Sequence, residues 1–218
     1  MRVVTLARWI GAIAAFPLCL SIAPGAELRA TPELDRRVQA FLSAERSKWD
    51  YLNVPYQDGR ILHELVLRNG HRRILEIGTS TGHSTVWLAW AAAKTGGKVT
   101  TIEIDRGRHE RALANFRRAG VDEYVDARLG DAHNLVKSLP GPWDFVFQDA
   151  DKEWYLQYFL DLEAKMASGG CYTAHNVARP YARQVTEFLE YVKSRPGFGL
   201  RFAEGASGEG ISISCRSQ

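Results

Sequence analysis

The sequence predicts an α/β fold: a doubly wound, mostly parallel sheet of seven strands, covered by helices on both faces and ending in an antiparallel C-terminal hairpin. From residue 74 onward, short apolar runs typical of buried strands alternate with longer segments of helical periodicity. The 218 residues, 45% of them hydrophobic, suffice for one substantial core but not for two large domains. The last two apolar runs have no helix between them, so we expect them to pair as a hairpin at the sheet edge.

Two helices are predicted before the first strand. Pro32 follows Thr31 and so occupies the first helical position, and apolar residues then recur at helical spacing as far as Leu42. A second amphipathic segment has its apolar residues at 61–66 and ends at Gly70.

The predicted strands cover residues 74–77, 99–104, 124–129, 144–148, 171–174, 200–203 and 211–215. The predicted helices that alternate with them cover residues 84–93, 106–119, 134–139, 153–167 and 182–193. This alternation favours a parallel sheet with helices on both of its faces.

The overall charge argues against a nucleic-acid partner. A total of 28 basic and 25 acidic residues give a net charge of +3, and no run of Lys or Arg is interleaved with aromatic residues. The three cysteines, Cys19, Cys171 and Cys215, are too few and too widely spaced for a disulfide framework or a zinc site. One enzyme-sized domain, residues 27–218, is predicted after an N-terminal leader.

The leader is predicted in residues 1–26. Arg2 and Arg8 precede an apolar stretch from Trp9 to Ala23, and small residues follow as far as Ala26. This order is typical of a secretory signal peptide, and the stretch is shorter than the ~20 residues of a spanning helix. We therefore expect an exported protein, periplasmic or membrane-associated. The alternatives are an uncleaved signal-anchor that tethers the protein to a membrane, or a wrongly chosen start codon and a cytoplasmic protein.

In open α/β sheets, ligands bind beyond the carboxyl ends of the strands. After the first predicted strand, Glu76 leads into a glycine-containing turn with Gly78 and Gly82. The Gly-x-x-x-Gly spacing differs from the Gly-x-Gly-x-x-Gly pattern that accommodates a dinucleotide pyrophosphate. Alone, this turn is as consistent with a purely structural strand-to-helix connection as with a binding loop.

Carboxylates follow the next two predicted strands. Glu103 ends the second strand, where a carboxylate is placed to accept both hydroxyls of a ribose. Asp131, followed by Ala132, ends the third strand and is placed near an adenine amino group. Each acid alone has an alternative as a helix cap or a solvated loop charge. Together they outline a pocket for an adenosine-bearing cofactor without phosphates.

The fourth and fifth predicted strands end in further polar residues. Asp149, Asp151 and Lys152 follow a buried run, and His175-Asn176 follows the neighbouring strand. Asp149, His175 and Asn176 are therefore expected to converge on one cation. The alternatives are an acidic helix N-terminus and a hydrogen-bonded polar residue at a strand end.

These motifs resemble the class I S-adenosylmethionine-dependent O-methyltransferases, in particular the cation-dependent group of catechol and caffeoyl-CoA O-methyltransferases. The resemblance covers roughly residues 50–215 and is most specific in residues 76–84 and 149–155, with Glu103 and Asp131. Residues 53–59 also resemble the segment that covers the cofactor in this family. The resemblance implies a Rossmann-like methyltransferase fold, a small aromatic hydroxyl substrate and a homodimer.

The resemblance also implies roles for individual residues. It assigns S-adenosyl-L-methionine binding to Glu76, Gly78, Thr79, Ser80, Gly82, Ser84, Glu103, Asp131, Ala132 and Asp149. Lys152 would be the general base for the acceptor hydroxyl, with Asp149 beside the sulfonium as the other catalytic residue. Asp149, His175 and Asn176 would hold a divalent cation, which lowers the pKa of a bound hydroxyl and orients two vicinal oxygens.

One residue departs from the family pattern. The family has Asp-Asn where this chain has His175-Asn176. Histidine removes a negative charge and adds a nitrogen ligand, which favours Mn²⁺, Fe²⁺, Co²⁺ or Zn²⁺ over Mg²⁺ and Ca²⁺. Alternatively the site has lost its metal, and Lys152 with His175 forms a metal-free acid/base pair.

Two further alternatives stay open. A non-catalytic S-adenosylmethionine-binding domain is possible on the same fold, because fold alone does not establish activity. If the last strand inserts beside the fifth, as the resemblance implies, Cys171 and Cys215 lie on neighbouring strands. There they either form a disulfide, as in an exported protein, or are simply buried.

Overall fold

The computed structural model describes residues 30–49, 52–178 and 183–217. The predicted leader, residues 1–26, lies outside these residues. Among the described helices, none combines the length and apolar composition that crossing a bilayer requires.

A seven-stranded sheet forms the centre of the fold. Its strands are β1 (Arg73–Ile77), β2 (Lys98–Glu103), β3 (Val125–Leu129), β4 (Trp143–Gln148), β5 (Met166–His175), β6 (Phe198–Phe202) and β7 (Ile211–Arg216). The strand order is β3-β2-β1-β4-β5-β7-β6. Strands β1 to β5 are parallel, whereas β7 pairs antiparallel with both β5 and β6. The predicted fold class, including the C-terminal hairpin at the edge, is confirmed.

Seven α-helices are described. They are α1 (Pro32–Glu45), α2 (Tyr56–Asn69), α3 (His83–Thr95), α4 (Arg106–Ala119), α5 (Ala132–Ser138), α6 (Tyr155–Leu162) and α7 (Thr186–Ser194). The Thr31 hydroxyl accepts a 3.2 Å hydrogen bond from the Leu34 amide and so caps α1, as its position before Pro32 indicates. Helix α2 ends at Gly70 in the left-handed conformation, as predicted.

The two faces of the sheet carry separate hydrophobic clusters. Alternate residues of β4 divide between them: Phe145 and Phe147 face the cluster that contains α3, and Val146 faces the cluster that contains α6 and α7. Helix α3 is buried along residues 83–93, because α2 covers its outer side. Because helices cover both faces of the sheet, a ligand site is expected at the carboxyl ends of the parallel strands.

The boundary between α6 and β5 differs from the prediction. A single helix over residues 153–167 was expected, but α6 is flanked by 3₁₀ turns at 152–154 and 163–165, and Met166 already pairs with Trp143 of β4. Met166 is buried, so pairing with the sheet overrides the helical propensity of this stretch. The predicted strand 171–174 is therefore only the second half of β5.

Helix α7 begins at Thr186 rather than at residue 182, which lies outside the described residues. Cys171 and Cys215 lie directly opposite each other on β5 and β7 and form a disulfide. The strand arrangement implied by the resemblance is thus confirmed, and the cysteines are bonded rather than merely buried.

Candidate active site

A cavity of about 480 Å³ opens at the carboxyl edge of the parallel strands and lies within the size range of small-molecule sites. The predicted site residues that line it are Gly78, Ser80, Glu103, Asp131, Ala132, Asp149, Lys152, His175 and Asn176. They come from the ends of five strands that lie next to one another in the sheet. The structure therefore brings most of the predicted site together in one place.

The turn between β1 and α3 forms the floor of this cavity. Gly78 has a φ of +99°, and a Cβ atom built on it would lie 2.8 Å from the Asp149 carbonyl oxygen. Only glycine fits here, because the backbone needs the left-handed region and approaches the β4 loop closely. The amides of Gly78 and Thr79 both donate to the Ile102 carbonyl at 3.1 Å, which fixes the turn against β2.

Glu76 lies beneath this turn and is fully buried. Its Oε2 accepts hydrogen bonds from the hydroxyls of Thr85 and Thr101. Burial raises the pKa of Glu76 to about 7, although hydrogen bonds from Ser84, Thr101 and Thr85 favour the charged form. Glu76 therefore makes hydrogen bonds to α3 and β2, and it is not among the residues that line the cavity.

Three other predicted cofactor residues, Thr79, Gly82 and Ser84, are likewise not part of the cavity lining. The Thr79 hydroxyl lies 2.6 Å from the Thr101 hydroxyl, and Gly82 packs against the ring of Phe116 at the start of α3. Their direct contact with a cofactor stays a prediction.

The segment before α2 lies over the turn. His83 Nδ1 donates to the Val54 carbonyl at 2.8 Å, and the Thr81 hydroxyl donates to Asn53 Oδ1 at 3.1 Å. Leu52 and Asn53 line the cavity. Of residues 53–59, Asn53 lines the cavity, and the covering of a cofactor by this segment stays a prediction.

Glu103 occupies the end of β2, as predicted, and faces the cavity. Its Oε2 accepts from the Ser80 amide at 2.8 Å, and its Oε1 accepts from the Asp105 amide and from Arg108 Nη2, both at 2.8 Å. These contacts hold the carboxylate in one orientation. A carboxylate held in this way can accept hydroxyl hydrogen bonds at the end of β2, where the ribose is expected.

Asp131 lies at the cavity and also has the helix-capping role that was its alternative, while its contact with an adenine stays a prediction. It lines the cavity and also caps α5, because its Oδ1 accepts from the His133 amide at 2.9 Å. His133 stacks on Trp154, with ring centroids 3.7 Å apart and an interplanar angle of 18°. Sequence reasoning missed His133. Its position two residues after Asp131 is the signal that could have indicated it.

Asp149 and Lys152 form an ion pair at the other end of the cavity. Lys152 Nζ donates to Asp149 Oδ1 at 2.9 Å and to the Ala150 carbonyl at 3.1 Å. Burial by itself would raise the pKa of Asp149, but the contacts with His175 and Lys152 outweigh it and keep the pKa below its usual value. Asp149 is therefore ionised at neutral pH.

His175 lies between two carboxylates. Its Nε2 donates to Asp58 Oδ2 at 2.8 Å, and its Nδ1 lies 3.4 Å from Asp149 Oδ2. Burial lowers the pKa of His175, but Asp149 and Asp58 together raise it to about 10. Only 2% of the His175 side chain is exposed, and its Nδ1 makes no hydrogen bond within the described residues.

Sequence reasoning also missed Asp58, which is fully buried at the start of α2. Its Oδ1 accepts from the Ser207 amide at 2.7 Å, and its Oδ2 accepts from the Ser207 hydroxyl at 2.6 Å. In the sequence, nothing distinguishes Asp58 from an ordinary acid in the first turn of a helix. Only the folded chain shows that it faces His175.

The predicted metal ligands Asp149, His175 and Asn176 meet at the cavity. A histidine ligand must offer a ring nitrogen without a proton. His175 Nε2 donates to Asp58, and Nδ1 is buried and makes no hydrogen bond within the described residues, so Nδ1 is the nitrogen that could face a cation. Asp149 Oδ1 accepts from Lys152, and its Oδ2 lies 3.4 Å from His175 Nδ1. The binding of a cation by these residues stays a prediction. Within the described ranges, no group of three His, Cys, Asp or Glu side chains is placed to hold a metal ion.

Comparisons with known proteins find O-methyltransferases among the relatives of this chain. The sequence model of the family described as O-methyltransferase matches residues 33–187. A catechol O-methyltransferase of Mycobacterium tuberculosis is 36% identical over 144 residues, which make up 64% of this chain and 64% of that protein. A caffeoyl-CoA O-methyltransferase of Eucalyptus globulus is 32% identical over 127 residues, which make up 56% of this chain and 51% of that protein.

A solved structure extends the comparison. The O-methyltransferase of Bacillus cereus in complex with SAH superposes with a TM-score of 0.70 at 26% identity. The superposition covers 87% of this chain and 93% of that one. The alignments with the two sequence relatives, by contrast, span less than two thirds of those proteins' length.

Proposed function

Since the chain belongs to the O-methyltransferase family, we propose that it transfers the methyl group of S-adenosylmethionine to a hydroxyl of a small phenolic or catecholic acceptor. The observation that carries this proposal is the cavity itself. Glu103 and Asp131 lie at one end of it and the Asp149–Lys152 pair at the other. The names of the catechol and caffeoyl-CoA relatives support the class of acceptor.

The cofactor supplies an electrophilic methyl group on a sulfonium. We assign its adenosine to the end of the cavity with Glu103 and Asp131, and its methionine part to the turn at Gly78 and Ser80. The negative charge of Asp149 favours the sulfonium at the opposite end. The SAH complex of the Bacillus cereus relative supports a cofactor of this kind.

The acceptor hydroxyl must lose its proton, because a phenol with a pKa near ~10 is mostly protonated at neutral pH. We assign the acceptance of this proton to the Nζ amine of Lys152, which lies at the cavity beside Asp149. The acceptor oxygen then forms a bond to the methyl carbon as the bond from carbon to sulfur breaks, and the electron pair of that bond stays on sulfur. Orientation of the two reactants in line accounts for much of the rate.

The competing function is a non-catalytic S-adenosylmethionine-binding domain. Lys152 at the cavity favours the enzyme, since no contact with S-adenosylmethionine is assigned to it. Isothermal titration with S-adenosylmethionine, followed by transfer of labelled methyl to a panel of phenols and catechols, separates the two. Binding without transfer to any acceptor supports the binding domain. Absence of binding contradicts both proposals.

We also propose that the protein works in an oxidising compartment outside the cytoplasm. The Cys171–Cys215 disulfide supports this location, since disulfides persist mainly in exported proteins. The predicted leader at residues 1–26 supports it as well. Cell fractionation and N-terminal sequencing of the mature protein test the location and show whether the leader is cleaved or kept as a membrane tether. Cytosolic protein with two free thiols would contradict the proposal.

A further inference from the structure

We propose that a groove at the amino ends of β1 to β4 binds a phosphate group. The groove has a volume of about 380 Å³ and lies at the edge of the sheet opposite the candidate active site. Three of the side chains that line it are cations, Arg72, Arg73 and Lys98, and one is an acid, Asp126. None of these residues lines the larger cavity, so the proposal does not depend on the proposed function.

The groove lies on a part of the sheet that helices leave open. Thr100 of β2 pairs with Leu75 of β1 and with Asp126 of β3, so the three side chains share one face. Leu75 is fully buried in the cluster that contains α6 and α7, whereas Thr100 and Asp126 are only half-buried. Helix α5 has only seven residues and packs against α6. The face of β2 and β3 is therefore accessible to a ligand.

Arg72 and Lys98 are the two cations that are available to this ligand. Their backbones are joined, because the Lys98 amide donates to the Arg72 carbonyl at 2.8 Å. Both side chains are exposed, and within the described residues neither makes a hydrogen bond or an ion pair. Each can therefore donate to a ligand without giving up an existing contact.

Arg73 is held at the groove by the residues around it. Its guanidinium lies over the ring of Trp143, 5.8 Å from the ring centroid, and its Nη2 donates to the Gly141 carbonyl at 3.0 Å. A guanidinium has five N–H donors, so these contacts leave donors for a ligand. Its planar fork matches the oxygens of a phosphate, which it can bind in pairs.

The acids near the groove already have partners. Asp126 Oδ2 accepts from Arg128 Nη2 at 2.8 Å, and Asp144 accepts from the amides of Arg72 and Arg73, both at 2.8 Å. Together with the three lining cations, these acids and Arg128 leave two more positive than negative side chains. A phosphate monoester carries a charge of about −1.5 to −2 at neutral pH, which matches this excess. A carboxylate would offset only part of it.

Isothermal titration of the full chain with sodium phosphate tests the groove, with sodium chloride of equal ionic strength as the blank. We expect saturable phosphate binding that Arg72→Gln and Lys98→Gln each weaken by about tenfold. The double variant should lose it. Arg201→Gln is the matched control, because it removes an exposed positive charge from β6, outside the groove, and should bind phosphate like the wild type.

Two outcomes of this titration would overturn the proposal. One is equal phosphate binding by the wild type and by a double variant whose circular dichroism is native. The other is displacement of the phosphate by S-adenosylhomocysteine, which would assign the phosphate to the candidate active site instead of the groove.

Either a soluble phosphorylated compound or a lipid headgroup can supply the phosphate. Vesicles of phosphatidylcholine, with and without phosphatidylglycerol, distinguish these sources by sedimentation. Binding to the phosphatidylglycerol vesicles that the double variant loses would assign the group to a lipid. Binding of free phosphate without such sedimentation would assign it to a soluble compound. The proposal fails if neither probe binds in a way that depends on Arg72 and Lys98.

Discussion

Asp58 and His175 are separated by 117 residues in the sequence and are joined by a hydrogen bond of 2.8 Å between Asp58 Oδ2 and His175 Nε2. Both side chains are buried. The bond connects the first turn of α2 to the carboxyl end of β5, and Ser207 extends it to the loop between β6 and β7. Three distant parts of the chain therefore determine where His175 lies.

Removing one member of this buried pair should destabilise the protein strongly. We expect Asp58→Asn to lower the free energy of unfolding by about 3 kcal/mol, because it leaves the buried His175 ring without its carboxylate partner. Ser207→Ala is the matched control: it removes one hydrogen bond to Asp58, keeps the backbone one, and should cost only about 1 kcal/mol. Urea unfolding measures both. Equal losses would show that the ion pair itself contributes nothing beyond a hydrogen bond.

Lys152 should be needed as a base and not only as a charge. We expect Lys152→Ala and Lys152→Arg to lower kcat by about 10²–10⁴-fold, since arginine keeps the positive charge beside Asp149 but does not accept a proton. Binding of S-adenosylmethionine, measured by calorimetry, should change little in either variant. Near-normal transfer by Lys152→Arg would assign Lys152 a purely electrostatic role.

Gly78 should be required for cofactor binding. We expect Gly78→Ala to weaken S-adenosylmethionine binding by about tenfold or more, because its Cβ would meet the Asp149 carbonyl at 2.8 Å and its φ is +99°. Gly70→Ala is the matched control, with a φ of +66° and nothing within 4 Å of the added Cβ. Calorimetry on both variants separates the close approach from backbone conformation alone. Equal affinities would mean that the β4 loop moves away without consequence for the cofactor.

The protonation of Glu76 should make stability depend on pH. Because burial raises its pKa from 4.5 to about 7, the folded state keeps a proton that the unfolded chain releases. The contribution of Glu76 is therefore fully present below pH 4.5 and is lost as pH rises through 7. We expect Glu76→Gln to gain up to about 3 kcal/mol relative to wild type between pH 4 and pH 8. Urea unfolding at a series of pH values measures the difference, and a pH-independent difference would show that Glu76 does not titrate in this range.

The Cys171–Cys215 disulfide should stabilise the fold without affecting chemistry. It closes a loop with a sequence separation of 44, so its loss should cost about 2–4 kcal/mol. Neither cysteine lines the cavity, and methyl transfer per folded molecule should stay unchanged. Unfolding with and without a reductant measures the loss. The Cys171→Ser/Cys215→Ser double variant is the control and should not respond to the reductant.

The strand ends could be predicted from the sequence because each follows a short apolar run and ends in a polar residue. Glu103, Asp131 and Asp149 lie at the cavity for this reason. The start of β5 could not be predicted, because Met166 continues a helical pattern and only its pairing with Trp143 makes it a strand residue. The periodicity of the local sequence does not predict that residues 143 and 166, which are distant in the chain, pair in the sheet.

The candidate site, like the fold, could be predicted from the sequence only in part. His175 was expected among the cation ligands from its place at a strand end, but the partner of its Nε2, Asp58, lies 117 residues away. No local spacing relates the two residues. The neighbourhood of a buried titratable group is a property of the folded chain, and a sequence pattern does not contain it.

The contact between Asp58 and Ser207 has a consequence for biosynthesis. Asp58 precedes every strand of the sheet, whereas Ser207 comes after all but the last of them. A growing polypeptide carries Asp149, Lys152 and His175 long before Ser207 has been made. The site is therefore completed only when the final hairpin docks, and incomplete chains contain the reactive residues without the arrangement that fixes them.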